Sequence, residues 1–301
     1  MSAFLASSNV IGSFKIFISK LTKYYRCNSF GKNNVSLIKN GDLGAQMGNL
    51  NNLAELVCGG ADVDAEDNDC EISEILKHLK AVLKNVLSEI NDLSSESDSR
   101  ITLYGPFLVR TLLEIGVTAL IGRLDPTRLL IVKRTQQHGD YSTEKAWSSA
   151  IRWQGDVVDS KVANPWPADK SYKDITKALL GDYYFDLYWQ KALKKVCDSN
   201  VQGGTWLAEI KGLDINAFSG MRRSSVSRLY SQSSKGVHSE FVIPPGSLYD
   251  KLTIKRLASE IIQLLSELGL LINHLPHVAY RIETDKAVQL FNGIEQVEVM
   301  P

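Results

Sequence analysis

At 301 residues, the chain is long enough to enclose a core without a disulfide or metal staple. Its 34 basic and 34 acidic residues cancel, so there is no global field toward nucleic acid or membrane, and any polyanion contact must come from a local patch. Cys27, Cys58, Cys70 and Cys197 form no CxxC pair and have no histidine at ligand spacing, so neither a zinc site nor a disulfide framework is indicated and reduced thiols in a cytoplasm are expected.

In chain order, Val10, Ile11, Phe14, Phe17, Ile18 and Leu21 recur at helical spacing between Lys15, Lys20 and Lys23. That pattern predicts a first helix over 9–26 with a basic outer face. Lysines within the apolar stretch, and no small-residue cleavage site after it, argue against a signal peptide. The Asn, Gly and Ser of 28–52 read as a loop. The acidic run of 59–74 misses the EF-hand register, because the sixth position is Asp67 counted from Asp62 and Asp69 counted from Asp64. A solvated loop without metal is expected there.

Ile72, Ile75, Leu76, Leu79, Leu83, Val86, Leu87 and Ile90 step by three and four, an amphipathic helix. After Ser-rich 93–99, an apolar helix is predicted to open near Pro106, whose missing N–H is harmless in a first turn, and to run through Ile121. The 101–121 stretch is lipid-like except for Arg110 and Glu114 at its middle. Two charges at that depth predict a buried core helix and no membrane span.

Beyond the turn at Asp125 and Pro126, a helix is predicted over 127–137. Helices over about 143–158 and 172–198 flank the turn-forming Asn164, Pro165, Trp166 and Pro167. A glycine-containing linker over 201–205 and a helix over 216–238 follow, the latter stopping before Pro244, Pro245 and Gly246. The last long helix carries Ile254, Leu257, Ile261, Leu264, Leu268, Ile272 and Leu275 on one stripe and ends at Pro276. A short tail helix and a strand-like 294–299 complete the chain.

Arg110 and Glu114 lie four residues apart on one helix face among Phe107, Leu108, Val109, Leu112, Leu113, Ile115 and Val117. Desolvating a charge is costly, so the two must pair with each other or with another helix. One reading is an ion pair that sets helix register. The other is that Glu114 orients Arg110 toward a ligand phosphate or a catalytic histidine, a bidentate task suited to arginine.

A second constellation lies between Asp214 and Glu240, where no acidic residue occurs while Arg222, Arg223, Arg228 and Lys235 are basic. The segment is a local cationic patch able to hold a phosphate backbone. Helical spacing puts Ser231, Ser234 or Lys235, and His238 on one side. The structural alternative is a closely packed helix whose His238 caps the C-terminal end of its dipole.

The segments containing Leu108, Arg110 and Glu114, and over a hundred residues later Tyr230, Ser234 and His238, resemble the LxRxxxE and YxxxSxxxH helices of HEPN-like all-helical bacterial proteins. The resemblance covers roughly 71–275. It implies an all-α fold, an antiparallel helical bundle with additional helices and the short strand-like C-terminal tail. The expected organisation is an N-terminal helix and loop over 1–60, then a HEPN-like domain over 61–301 with a Trp-containing insertion around 140–200. It further implies a role in anti-phage defence or as a toxin, binding RNA and cleaving it without metal or cofactor.

In that reading His238 is the base, Arg110 and Lys235 contact phosphate, Glu114 orients, and Arg222, Arg223, Arg228, Tyr230 and Ser234 bind nucleic acid. The alternative is a non-catalytic helical subunit that docks on a partner protein of a defence complex or on its own copy as a homodimer. One departure stands out. Ribonuclease members place an arginine four to six residues before the histidine, where this chain has Ser231, Gln232 and Ser233. Of the other candidates, His138, His274 and His277 read as structural or solvent-facing. Trp147, Trp153, Trp166 and Trp189 read as core and lid packing ahead of base stacking.

Overall fold

The computed structural model describes residues 40–60, 71–137, 179–180, 185–237 and 249–301. The described elements are helical: α1 (Asn40–Cys58), α2 (Glu71–Asp92), α3 (Asp98–Leu124), α4 (Pro126–Gln137), α5 (Gln190–Asp198), α6 (Thr205–Lys211), α7 (Phe218–Val237), α8 (Lys251–Ile272) and α9 (Thr284–Glu295). A 3-10 turn at Leu93–Ser95 joins α2 to α3, and a π turn at Phe185–Trp189 leads into α5. The predicted helix over 9–26, most of the acidic run, and the turn at Pro165 and Pro167 lie outside the described residues.

Helix α3 is the axis of the molecule, packed by α8, α7 and α2. Two glycines set how closely α8 approaches: a Cβ on Gly105 would lie 2.7 Å from Ile254, and one on Gly116 would lie 2.5 Å from Leu265. These matched contacts, each eleven positions further on, mean that α3 and α8 run parallel. Helix α7 runs antiparallel to both, since Arg228 pairs with Glu260 and Arg222 with Glu267 of α8. Where α7 ends on α3, a Cβ on Gly236 would meet Pro106 at 2.4 Å. Leu76, Leu83, Leu87 and Ile90 of α2 are buried in this core with Val109, Leu112, Leu113, Val117 and Leu120 of α3.

Four features differ from the sequence expectation, one of them α6 (Thr205–Lys211), a helix between the expected linker over 201–205 and the expected helix over 216–238. Residues 40–52 are helix rather than loop, as the first part of α1. Leu50, Leu53, Ala54, Leu56 and Val57 are buried against the rest of the core, and that packing overrides the weak helix propensity of the Asn and Gly before them. Helix α1 thus shares one core with α2, α8 and α9. Helix α3 starts at Asp98, so Pro106 lies in its third turn and not its first. The 294–299 segment pairs with no strand among the described residues: Ile294 and Glu295 form the last residues of α9, and Val299 and Met300 turn inward onto the core. Alternating apolar residues can cover a helical core without a ladder.

Short polar devices fix the ends. Asp250 caps α8 by accepting from Thr253 N at 2.8 Å, and that bond holds its carboxyl below the usual carboxylate range. Glu295 of α9 accepts from Trp206 N at 3.1 Å and so caps the start of α6. Trp189 is buried, gives its indole N–H to Leu179 O, and packs 6.1 Å from the Phe218 ring. It is core packing.

Candidate functional site

Arg110 and Glu114 lie where α3 and α7 meet, at the edge of the core. Arg110 Nε donates to Glu114 Oε1 at 3.0 Å, and Nη2 donates to the Tyr230 hydroxyl at 2.8 Å. The guanidinium also sits 4.8 Å from the Tyr230 ring centroid, a cation–π contact. The side chains are 24% and 40% exposed, so the pair is half-buried rather than sealed. Three residues of the two motif segments, Arg110, Glu114 and Tyr230, are therefore one contact cluster. Nη1 of Arg110 has no hydrogen-bond partner among the described residues.

One turn beyond Tyr230 on α7, Ser234 Oγ is buried without a hydrogen-bond partner. Lys235 is exposed at the end of α7 and carries no ion pair among the described residues. His238 is one residue past the end of α7 and lies outside the described residues.

The arginines of α7 are engaged elsewhere. Arg222 pairs with Glu267 in a site where the two side chains are 18% and 6% exposed, and its guanidinium lies 5.6 Å from the Phe218 ring. Burial pushes the Glu267 carboxyl above its ordinary value, against the pull of Arg222. Arg223 donates from Nε and Nη2 to Leu180 O at 3.0 and 2.7 Å. Arg228 forms an exposed pair with Glu260 at 2.6 Å. Two of the four basic residues of the acid-free stretch, Arg222 and Arg228, are thus partnered in space by carboxylates of α8 and a third, Arg223, by a backbone carbonyl.

Among the described residues the most deeply buried charge is Arg123, in the last turn of α3, which nothing in the sequence reading singled out. It is fully buried and donates to Ala279 O, Leu56 O, Val57 O, Asn273 Oδ1 and Tyr280 O at 2.7 to 3.3 Å. No carboxylate pairs with it among the described residues. Its cage is the carbonyl end of α1 together with the turn after α8, where helix dipoles are negative. Desolvation lowers its pKa to about 10, so it remains charged at neutral pH. The available signal was a charge ending an apolar run. Glu267, flanked by Leu264, Leu265 and Leu268, carried the same signal.

Among the described residues, no three His, Cys, Asp or Glu side chains gather as metal ligands would, and no helix is long and apolar enough to cross a membrane. Comparison with protein-family models, with curated proteins and with solved structures yields no match.

Proposed function

We propose that this chain is a HEPN-like RNA-binding protein that cleaves RNA without metal, in the toxin or anti-phage setting that the motif resemblance implies. The observation that supports it is the clamp on Arg110. Glu114 and Tyr230 hold two sides of the guanidinium, and the Arg110 side chain as a whole is partly exposed. An arginine whose geometry is fixed before binding loses little entropy on meeting phosphate, and its planar donors match phosphate oxygens.

In this reading His238, a turn past Ser234 in sequence, removes the proton of a ribose 2′-hydroxyl. The 2′-oxygen attacks the adjacent phosphorus and the 5′-oxygen leaves, taking a proton from the imidazolium or from water. The products are a 2′,3′-cyclic phosphate and a free 5′-hydroxyl. Arg110 and Lys235 balance the charge that builds on the phosphoryl oxygens, and Glu114 keeps Arg110 oriented. Tyr230 is a positioning residue through its bond to Arg110.

The test is incubation of labelled RNA with the full chain in excess chelator, beside His238→Ala. The expected result is cyclic-phosphate ends from the parent protein and none from the variant, with unchanged melting. Cleavage that persists in His238→Ala overturns the assignment of the base. A second reading, a non-catalytic subunit that docks on a protein, is favoured by the pairing of Arg222, Arg223 and Arg228 within the fold, which shrinks the surface left for a polyanion. RNA that binds neither protein would select it.

A further inference from the structure

Helix α5 presents a strongly basic face that the Arg110 cluster does not use. Its sequence puts Lys191, Lys194 and Lys195 at exposed positions, while Ala192, Leu193 and Val196 are buried. Residues three and four apart on a helix are neighbours, so the three ammonium groups share one face within little more than a turn. Like charges at that spacing destabilise an isolated helix, and burial of the opposite side offsets the cost here. Just before α5, Trp189 is buried and packs 6.1 Å from the Phe218 ring of α7.

The turn after α8 runs alongside this helix and fixes it at two points. The ring centroids of Tyr188 and His277 are 4.7 Å apart, and seven positions on from Tyr188, Lys195 Nζ donates to His274 O at 3.0 Å. That bond takes one of the three donors of the ammonium group and leaves two. The lysines are therefore displayed from a support that is already anchored.

What sets this face apart is its lack of counter-charge. Elsewhere lysines are matched: Lys133 pairs with Glu74, Lys255 with Glu298 and Lys286 with Glu55. Lys191, Lys194 and Lys195 form no ion pair among the described residues, and neither does Asp198 at the end of α5. Uncompensated charges on one helix turn give a local positive potential in a chain whose net charge is zero.

We propose that the lysine face of α5 is a second RNA contact, in which Lys191, Lys194 and Lys195 hold backbone phosphates of a single strand. The proposal rests on the RNA-binding reading given above. A polyanion suits the face better than a bilayer does, because the apolar side of α5 is turned inward. Leu187 is the one large apolar side chain exposed beside it among the described residues, too little surface to insert into lipid. The contact is remote from the Arg110 clamp. Arg123 stands about 20 Å along α3 from Arg110 at 1.5 Å per residue, and it bonds Asn273, the neighbour of the residue that accepts from Lys195. The two contacts act on different phosphates, so their losses should add.

The test is fluorescence anisotropy with a labelled single-stranded RNA over a range of salt, on the full chain carrying His238→Ala so that the strand stays intact. Lys191→Ala/Lys194→Ala removes two exposed charges and leaves Lys195 on its carbonyl. Neither side chain makes an internal bond among the described residues, so melting should be unchanged. Affinity should fall about tenfold or more, and the slope of log affinity against log salt should become shallower by about 1.4, the loss of two contacts to a single strand. Lys77→Ala/Lys84→Ala removes the same charge from exposed positions of α2 and should leave affinity and slope close to the parent values. Equal losses in the two pairs overturn the proposal in favour of a net-charge effect. Unchanged affinity in Lys191→Ala/Lys194→Ala overturns it outright. Arg110→Ala in the same assay separates the proposal from the reading beneath it: binding weakened by Arg110→Ala but not by the α5 pair rejects the α5 face alone, whereas a parent that binds no RNA rejects both. Vesicles containing phosphatidylserine serve as the parallel probe. Vesicle binding that the α5 pair loses while its RNA affinity is unaltered overturns the proposal in favour of a membrane contact.

Discussion

Arg110 donates to the Tyr230 hydroxyl at 2.8 Å and lies over the same ring, tying α3 to α7 across 120 positions of sequence. Tyr230→Phe removes the acceptor but keeps the ring. It should cost about 0.5–1.5 kcal/mol of stability, the net value of one hydrogen bond, and weaken RNA binding by loosening Arg110. Urea unfolding gives the first quantity, and fluorescence anisotropy with a labelled oligonucleotide gives the second. Tyr230→Ala should cost more on both.

The cage around Arg123 predicts a larger effect. Arg123→Met keeps the bulk but leaves carbonyls at the end of α1 and in the turn after α8 without their donor. A loss of about 3–5 kcal/mol is expected, the range for breaking a buried charged network. Arg123→Lys keeps the charge but lacks the planar fork, and should recover only part of that loss in a denaturant midpoint.

The Arg222 and Glu267 pair is suited to a double-mutant cycle. Glu267→Leu alone leaves a largely buried guanidinium beside Phe218 without its carboxylate, and should cost about 3–5 kcal/mol. Arg222→Met alone should cost a similar amount. The double variant should regain most of the loss, since two apolar side chains of similar size replace two desolvated charges. Additive losses in unfolding experiments would show that the pair is not coupled.

The legible part of the fold was the part with strong periodicity. Leu76, Leu83, Leu87 and Ile90 announce α2, and Ile254, Leu257, Ile261 and Leu268 announce α8, because one face of each must be buried. Helix α1 was hidden because its Asn and Gly residues look like a loop until the neighbours of Leu50 and Leu53 are known. Arg110, Glu114 and Tyr230 stood out as a charge pair and a spaced aromatic, and they touch in space. The pairing of Arg222 and Arg228 was not legible, since Glu267 and Glu260 come from a helix more than thirty positions on, and charge counted along the chain omits them.

The histidines of the turn after α8 give a pH dependence of definite sign. The folded state holds His274 and His277 below the ordinary value of 6.5. The unfolded chain therefore takes up protons first as pH falls, and stability present above that value is lost below it. Unfolding free energy should decline from pH 7 toward pH 5. In His274→Asn the decline should be shallower, so that the gap between parent and variant narrows at the acid end.

The most direct test of the Arg110 clamp as an RNA contact is the equilibrium affinity for a labelled single-stranded RNA, parent against Arg110→Ala, with melting temperature monitored alongside. The cleavage-deficient His238→Ala background keeps the RNA intact. A tenfold or greater weakening, about 1.4 kcal/mol or more, together with a shallower salt dependence and little change in melting, is the predicted result. Equal affinity in the two proteins would contradict it.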